Sequence, residues 1–329
     1  MALSPRRGWL DGPIQMVYYW MCHFPAIRQR GRKLLIRLSA LFVTGFLSAV
    51  SCTVALAAEA PLNLCTAGPE GNYFATGRDI AAHANPRYLK VLVAQTSGSM
   101  DNMQRLARLE CGAAIVQSDA YLVYQAKHRN KPVEITRNRF LYAEFAHLIC
   151  RRDAKVATTD DLLKYPGRHK ILVGAGESGS ALTWHAFTLL DTRYAQLSAE
   201  QIGGADALGR VLNGQAQCLF FVSGLGSELG KRVDQRGKDL RLVPITEDVL
   251  RNAEFGAANL YETRHIPKGL YKNLEAGLPD SGVATLTVGA TLVIERHWSA
   301  KYPNGPSALL GAVSGATPAI VKRATAGLK

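Results

Sequence analysis

The sequence feature that most constrains the fold is a strand, a glycine-rich turn and a helix that follow one another directly. Lys170–Asp191 reads KILVGAGESGSALTWHAFTLLD. Apolar residues recur at three- and four-residue spacing after the turn, which predicts a helix with one buried face. A strand that leads through such a turn into a helix start directs free backbone N–H groups at one point, which suits an anion. The stretch therefore predicts an α/β fold with an anion-binding turn.

The same pattern occurs earlier in the chain. The segment LNLCT at 62–66 enters the turn 67–73 and then a helix that passes through Ile80 and Ala84. The segments CGAAIVQS at 111–118 and QCLFFVS at 217–223 also resemble each other. Two similar units predict two lobes built on one plan.

Three predicted strands of the first lobe end in small polar loops. The strands are 62–66, 88–94 and 113–116, and a helix that Ser99 or Asp101 can cap follows the second. In a parallel sheet, the loops that follow these strands lie together at the carboxyl edge, where open α/β sheets bind ligands.

The first 58 residues differ from the rest of the chain. They hold seven of the 39 basic residues and one of the 26 acidic residues. The uncharged run 38–58 ends in Ala55-Leu56-Ala57, an A-x-A signal for cleavage of an exported protein. We expect a cleaved leader over 1–58. The alternatives are an uncleaved membrane anchor, a lipoprotein attached at Cys52, and a translation start at Met16 or Met21.

The charge of the remaining chain is modest. The whole sequence has a formal net charge of +13, and without the leader 32 basic and 25 acidic residues leave +7. The basic residues outside the leader are scattered, with no stripe interleaved with aromatic side chains, so nucleic-acid binding is not expected. The composition, 47% hydrophobic and 20% charged, is that of a globular protein.

Six segments occur in an order that resembles a known family. They are GPEGNYF from Gly68, QTSGSMDN from Gln95, IVQSD from Ile115, LYAE from Leu141 with His147-Leu148, the turn 174–181, and FFVSGL from Phe220. Their order is similar to that in the solute receptors of tripartite ATP-independent (TRAP) transporters, and most similar to the TAXI branch. The resemblance covers roughly 60–310.

The resemblance implies a two-lobed, type II periplasmic-binding-protein-like α/β fold with a ligand cleft between the lobes. Residues 140–151 and 285–295 would cross between the lobes and act as hinges. The expected domains are 59–143 with 290–329 for lobe 1, and 144–289 for lobe 2. The implied function is periplasmic capture of an anionic or zwitterionic solute, an organic acid or amino acid, and its delivery to a TRAP-type membrane permease. A receptor of the same fold that serves signalling is an alternative. No reaction, cofactor or metal is expected.

Five loops are expected to form the ligand site. They offer hydroxyls, amides and backbone N–H groups at helix starts, which suit a carboxylate. Tyr73 would wall the site or pack in the core, and the hydroxyl of Ser178 is expected to bind the ligand without affecting the stability of the empty protein. The predicted ligand-binding residues are Gly71, Asn72, Tyr73, Ser97, Gly98, Ser99, Gln117, Ser118, Ser178, Gly179, Ser180, Ala181, Ser223 and Gly224.

Two enzyme-like motifs overlap the central turn. Residues 176–180 nearly match G-x-S-x-G, which would make the protein an exported serine hydrolase that uses Ser178 as nucleophile. The last position is Ser180 instead of glycine, and no local signature marks a histidine partner. Residues 174–179 also begin like a phosphate-binding P-loop, but Ser180 occupies the position of the required lysine.

Two glutamates, a histidine and the four cysteines outside the leader also have predicted roles. Glu70 and Glu177 occupy matching turns, where each complements a helix dipole or receives a ligand ammonium group. His185 is expected to pack in its helix.

In an exported protein of this fold we expect either a Cys150–Cys218 disulfide or four buried thiols. Cys65 and Cys111 are expected to lie too far apart to bond, near opposite ends of parallel strands.

Overall fold

The computed structural model describes residues 59–255, 258–274 and 279–326. The strands are β1 Ala60–Cys65, β2 Leu89–Ala94, β3 Ala113–Gln117, β4 Ile135–Arg151, β5 Lys170–Leu172, β6 Ser198–Glu200, β7 Cys218–Ser223, β8 Leu240–Val243, β9 Glu254–Phe255, β10 Ala258–Asn259, β11 Tyr261–Ile266 and β12 Val283–Glu295. The α-helices are α1 Asn72–His83, α2 Ser99–Ala107, α3 Ala120–Lys127, α4 Thr159–Leu163, α5 Gly179–Leu190, α6 Gly204–Leu212, α7 Glu228–Gln235, α8 Asp248–Arg251, α9 Arg296–Lys301 and α10 Gly305–Ala324.

One mixed sheet runs through the described chain. Its central path has the order β2-β1-β3-β12-β4-β7-β5-β6, while β11 pairs with β12 and β8 pairs with β4. At one end β1 is parallel to both β2 and β3, and at the other end β5 is parallel to both β6 and β7. These two parallel groups are the sheets of lobe 1 and lobe 2.

Two long antiparallel strands join the lobes. β4 has 17 residues and β12 has 13, and each continues from the lobe 1 sheet toward lobe 2. The predicted crossings at 140–151 and 285–295 lie inside these strands. The fold is therefore the two-lobed type II arrangement that the sequence predicts. The residues at which one lobe gives way to the other stay a prediction.

Both faces of the sheet are covered by helices. On one face of lobe 1, α1 and α10 pack over β1, β3 and β12 around Leu62, Leu64 and Ile80. The C-terminal α10 is held on α1 by Arg323, whose Nη2 donates to Asp79 Oδ2 at 2.6 Å. On the other face α2 and α3 enclose a core that also includes Leu182 and Ala186 of α5. Residues of lobe 2 thus contribute to a core that lies beside lobe 1.

The four cysteines that follow the leader form two disulfides. Cys150 and Cys218 are directly opposed on the antiparallel strands β4 and β7, with Cα atoms 4.1 Å apart, so this expected bridge is confirmed. Cys65 is bonded to Cys111, with Cα atoms 6.0 Å apart, so the prediction that this pair lies too far apart is wrong. The prediction placed the two cysteines near opposite ends of parallel strands. The register instead sets Ala113, the first residue of β3, beside Leu64 near the end of β1. The chain bends at Gly112, whose N–H donates to the Asn63 carbonyl, so Cys111 lies beside Cys65.

The predicted leader 1–58 lies outside the described residues. Within the described part of the chain, no helix combines the length and apolar character needed to cross a membrane.

Candidate ligand site

The five predicted loops lie together in the structure. We call the segments 68–73, 97–99, 117–118, 176–181 and 223–224 the loop cluster. A Cβ atom placed on Gly98 would lie 3.8 Å from the carbonyl oxygen of Glu177, and one placed on Gly224 would lie 3.7 Å from Asn72 Nδ2. Loops from lobe 1 and lobe 2 therefore face each other at these points.

Gln117 of lobe 1 and Gly179 of lobe 2 lie in close contact within the loop cluster. A Cβ atom on Gly179 would lie 2.5 Å from Gln117 Oε1, so any larger residue would displace the carboxamide. Gln117 is the last residue of β3 and is 2% exposed, and its Nε2 donates to Thr183 Oγ1 of α5 at 3.4 Å. The end of the lobe 1 sheet thus contacts the start of α5.

Two helices present uncapped N-termini to the loop cluster. α1 begins after Gly71 and α2 after Gly98, and neither receives a side-chain cap. Gly98 has a φ of 121°, a backbone conformation that favours glycine. The carboxamide of Asn102 holds the strand ends below α2, since its Nδ2 donates to the carbonyls of Thr66 and Ile115 at 2.7 Å each. The first N–H groups of α1 and α2 are therefore available to an anion.

The serine hydroxyls of the loop cluster mostly bind within the protein. Ser178 Oγ caps α5 by accepting from the Ala181 N–H at 3.2 Å, and Ser180 Oγ accepts from the Val222 N–H at 2.9 Å. Ser99 Oγ accepts from the Gln117 N–H at 3.0 Å, and Ser118 Oγ donates to the Leu260 carbonyl at 2.7 Å. Because the Ser178 hydroxyl caps α5, we expect it to stabilise the empty protein, which differs from the expectation drawn from the sequence.

The remaining predicted residues have mixed environments. Ser223 Oγ lies 2.9 Å from Ser227 Oγ, which caps α7. Ser97 is exposed, and its backbone N–H donates to Asp101 Oδ2 at 3.1 Å. Tyr73 is buried, with 8% of its surface exposed, and packs edge-on against Tyr142 with ring centroids 6.5 Å apart. Its ring therefore packs in the core, while its hydroxyl extends to a carboxyl group.

That carboxyl group belongs to Glu144. Tyr73 Oη donates to Glu144 Oε2 at 3.1 Å. Glu144 lies on β4 opposite Val288 of β12, and Val288 lies opposite Tyr261 of β11. Opposed residues of antiparallel strands project to the same face of a sheet. Glu144, Val288 and Tyr261 therefore form one row across the strands that join the lobes.

A second buried carboxyl group lies at the Tyr261 end of this row. Tyr261 Oη donates to Asp119 Oδ2 at 3.0 Å, and Asp119 is fully buried at the start of α3. Burial raises the pKa of Asp119 to about 6, although the nearby hydroxyls of Thr183 and Tyr261 lower it. Burial likewise raises the pKa of Glu144 to about 7, while Tyr73 lowers it and the charge of Asp119 raises it. The row therefore has a buried carboxyl group with a raised pKa at each end.

Sequence reasoning gave neither acid a role. Both lie inside motifs that carried the family resemblance, Asp119 in IVQSD and Glu144 in LYAE, so their position after or within a predicted strand was the available signal. Glu70 and Glu177, for which the sequence predicts roles in the turns, are exposed. His185 lies within α5 and is partly buried, and burial lowers its pKa.

The structure gives no support to the hydrolase motif. Among the described residues, the hydrogen bond found for Ser178 Oγ is the one from the Ala181 N–H, and no histidine is bonded to it. The described ranges also contain no group of three or more His, Cys, Asp or Glu side chains that could hold a metal ion.

Comparison with known proteins places the chain in a family. A model of the NMT1-like family matches residues 64–301, which is most of the chain and includes the whole loop cluster. The chain belongs to the NMT1-like family. No curated protein matches the sequence.

Solved structures similar to this NMT1-like protein include three with low sequence identity. The GluR0 ligand-binding core from Nostoc punctiforme in complex with L-glutamate has a TM-score of 0.46 and 12% identity, over 80% of this chain and 98% of that one. The amino acid transporter substrate-binding protein AbpA from Streptococcus pneumoniae, bound to L-arginine, has a TM-score of 0.45 and 12% identity, over 82% and 95%. A TctC solute-binding protein from Polaromonas has a TM-score of 0.46 and 15% identity, over 80% and 85%.

Proposed function

We propose that this NMT1-like protein is a periplasmic solute receptor of the TAXI type, which captures a small carboxylate-bearing solute and delivers it to a TRAP-type membrane permease. The observation that carries the proposal is the convergence of the uncapped N-termini of α1 and α2 with the start of α5 in one loop cluster. Helix N-termini bind carboxylates through their free N–H groups and their positive dipole ends. The order of the six motifs supports the TAXI assignment and the permease partner.

The solute would contact both lobes at once. Ligand contacts made only in the closed state stabilise that state, so the ligand shifts the equilibrium from the open to the closed form. β4 and β12 are the strands through which the lobes would move. The proposal includes export, with removal of the leader 1–58, and no enzymatic reaction.

Asn72→Asp tests the carboxylate site. Asn72 is the first residue of α1, and its carboxamide lies beside Gly224 of lobe 2. An acid at this position favours the helix dipole, so the fold should keep its stability, but it repels a bound carboxylate. We expect affinity for the solute, identified by a thermal-shift screen of carboxylates and amino acids, to fall at least ~10-fold in calorimetry.

Ser307→Asp is the matched control. Ser307 is exposed in the first turn of α10, which begins beside Trp298. The Nε1 of Trp298 donates to the Pro61 carbonyl near the start of β1, which places this turn at the opposite edge of the lobe 1 sheet. The control adds the same charge to a helix N-terminus away from the loop cluster. Equal affinities for the wild-type protein, Asn72→Asp and Ser307→Asp would contradict the proposed site.

A further inference from the structure

Two buried acceptor atoms near the loop cluster lack hydrogen-bond donors among the described residues, and a third side chain on the same face has one donor. Asp119 Oδ1 and Gln117 Oε1 are buried and have no partner among the described residues. Glu144, which is 9% exposed, has one hydrogen bond in the described part of the protein, from Tyr73 to Oε2. Buried polar atoms are normally paired, so two unmet acceptors in one region require an explanation.

The sheet register places these groups on one face. Gln117 is opposed to Ala290 of β12, two residues from Val288, which is opposed to Glu144. Residues two apart on a strand project to the same face. Asp119 reaches this face through its hydrogen bond with Tyr261, which is also opposed to Val288. Gln117 and Glu144 therefore project to one face of the sheet, and Asp119 is joined to that face through Tyr261.

Among the described residues, no basic side chain neutralises the two acids. The contacts that affect their pKa values are hydroxyl hydrogen bonds, a backbone hydrogen bond at Asp119 and, for Glu144, repulsion by the charge of Asp119, and no lysine or arginine contributes. Two carboxyl groups buried without a cation are costly when ionised. An amine brought by a ligand would supply the missing positive charge.

A primary ammonium group offers one donor to each of these three groups. It carries three N–H donors and no acceptor, so Asp119, Glu144 and Gln117 can each receive one hydrogen bond. A hydroxyl group has one donor and a carboxylate has none, so neither can donate to all three. The acceptors also adjoin the proposed carboxylate site, since Tyr73 is the second residue of α1 and Gln117 contacts Gly179 at the start of α5.

We propose that Asp119, Glu144 and Gln117 bind the ammonium group of the solute, which makes the solute an α-amino acid with its carboxylate at the helix N-termini. This inference rests on the proposed receptor function and narrows its ligand class. It replaces Glu70 and Glu177 as candidates for ammonium recognition.

The test compares amino acids with the matching carboxylates that lack the amino group. Calorimetry with the leader-free protein would use the standard L-amino acids, each paired with its deaminated counterpart, such as L-glutamate with glutarate and L-leucine with 4-methylpentanoate. We expect one or more amino acids to bind, and each to bind at least ~10-fold more tightly than its deaminated partner, because hydrogen bonds to charged groups are strong.

Substitutions then locate the ammonium site. Glu144→Gln keeps the size of the side chain and an acceptor for Tyr73 but removes the charge. It should weaken binding of the amino acid at least ~10-fold and leave any binding of the deaminated partner unchanged. Asp119→Asn should likewise weaken binding of the amino acid and leave any binding of the deaminated partner unchanged. Glu177→Gln tests the exposed carboxylate of the loop cluster as the alternative ammonium ligand. Asp160→Asn, which changes an exposed carboxylate in the first turn of α4, outside the loop cluster, is the control and should bind like the wild-type protein.

The outcomes separate this inference from the receptor function. Deaminated carboxylates that bind as tightly as amino acids would overturn the ammonium site and leave the receptor function standing. A loss in Glu177→Gln with unchanged affinity in Glu144→Gln and Asp119→Asn would also overturn it. Binding of neither class would contradict both proposals.

Discussion

At the residue scale, Glu144 shows how the site affects the stability of the fold. Its pKa is raised to about 7, first by burial and then by the charge of Asp119, while the hydrogen bond from Tyr73 acts in the opposite direction. An acid whose pKa is higher in the folded state binds protons on folding. Its favourable contribution is therefore complete below the unfolded pKa of about 4.3 and is lost as the pH rises through the folded pKa.

Glu144→Gln should abolish this pH dependence. We expect the variant and the wild-type protein to have similar free energies of unfolding near pH 4, and the variant to be more stable at pH 8 by up to about 3 kcal/mol. Urea denaturation of the ligand-free protein at both pH values measures the difference. Glu177→Gln controls for the loss of a carboxylate. A variant that is less stable than the wild-type protein at pH 8 would show that ionised Glu144 is stabilised by its surroundings.

Ser178 supplies a second prediction at this scale. Its hydroxyl caps α5, so Ser178→Ala should lower the free energy of unfolding of the empty protein by about 1 kcal/mol. Ser178→Asn keeps a side-chain acceptor at the cap and should retain most of the stability. Chemical denaturation compares the three proteins. Equal stability of Ser178→Ala and the wild-type protein would mean that the hydroxyl does not act as a cap.

At the element scale, residue periodicity predicted the parts of the fold that have a regular pattern. The strands that lead to the loop cluster, the helices that follow them and the long strands β4 and β12 all have apolar runs or alternation that can be recognised. β11 has no such pattern, because the four residues between Tyr261 and Ile266 are all exposed. It pairs with β12 through its backbone, and so Tyr261, the partner of Asp119, could not be placed from the sequence.

For the site, the sequence predicted where the loops lie but not which of their groups are free to bind a ligand. The loops at the carboxyl edge follow from the order of strands and turns, so their convergence could be expected. Which groups remain free for a ligand could not, because that depends on how each side chain bonds within the fold. Ser178, Ser180 and Ser118 are used by the protein, whereas Gln117 keeps an unpaired oxygen.

The bend before β3 can be tested by a glycine substitution. A Cβ atom on Gly112 would lie 2.5 Å from Trp298 Cγ and 2.9 Å from Leu62 Cδ1, so Gly112→Ala requires the Trp298 ring to move. We expect a loss of about 1–3 kcal/mol in thermal denaturation. Gly311→Ala is the matched control, since its Cβ would meet nothing within 4 Å and it lies inside α10. It should stabilise by about 0.5–1 kcal/mol. Equal effects of the two changes would contradict the close packing at Gly112.

At the scale of the whole molecule, each disulfide lies within one part of the sheet. Cys65–Cys111 joins the end of β1 to the segment before β3, and Cys150–Cys218 joins β4 to β7 in lobe 2. Neither connects the loops of lobe 1 to those of lobe 2. The bridges therefore restrict each lobe internally and leave movement through β4 and β12 free.

This arrangement predicts that the disulfides affect stability and not ligand affinity. The bridges close segments with sequence separations of 46 and 68 residues, and loops of that length give about 4 kcal/mol each from the restricted unfolded chain. Replacing either pair by serine should lower the free energy of unfolding by an amount of this order. Affinity measured at a temperature where the variant is folded should stay within about twofold, which is less than 0.5 kcal/mol. A large loss of affinity in the Cys150–Cys218 variant alone would show that the geometry of β4 near Glu144 depends on that bridge. The Cys150–Cys218 bridge would then determine ligand affinity as well as the stability of lobe 2.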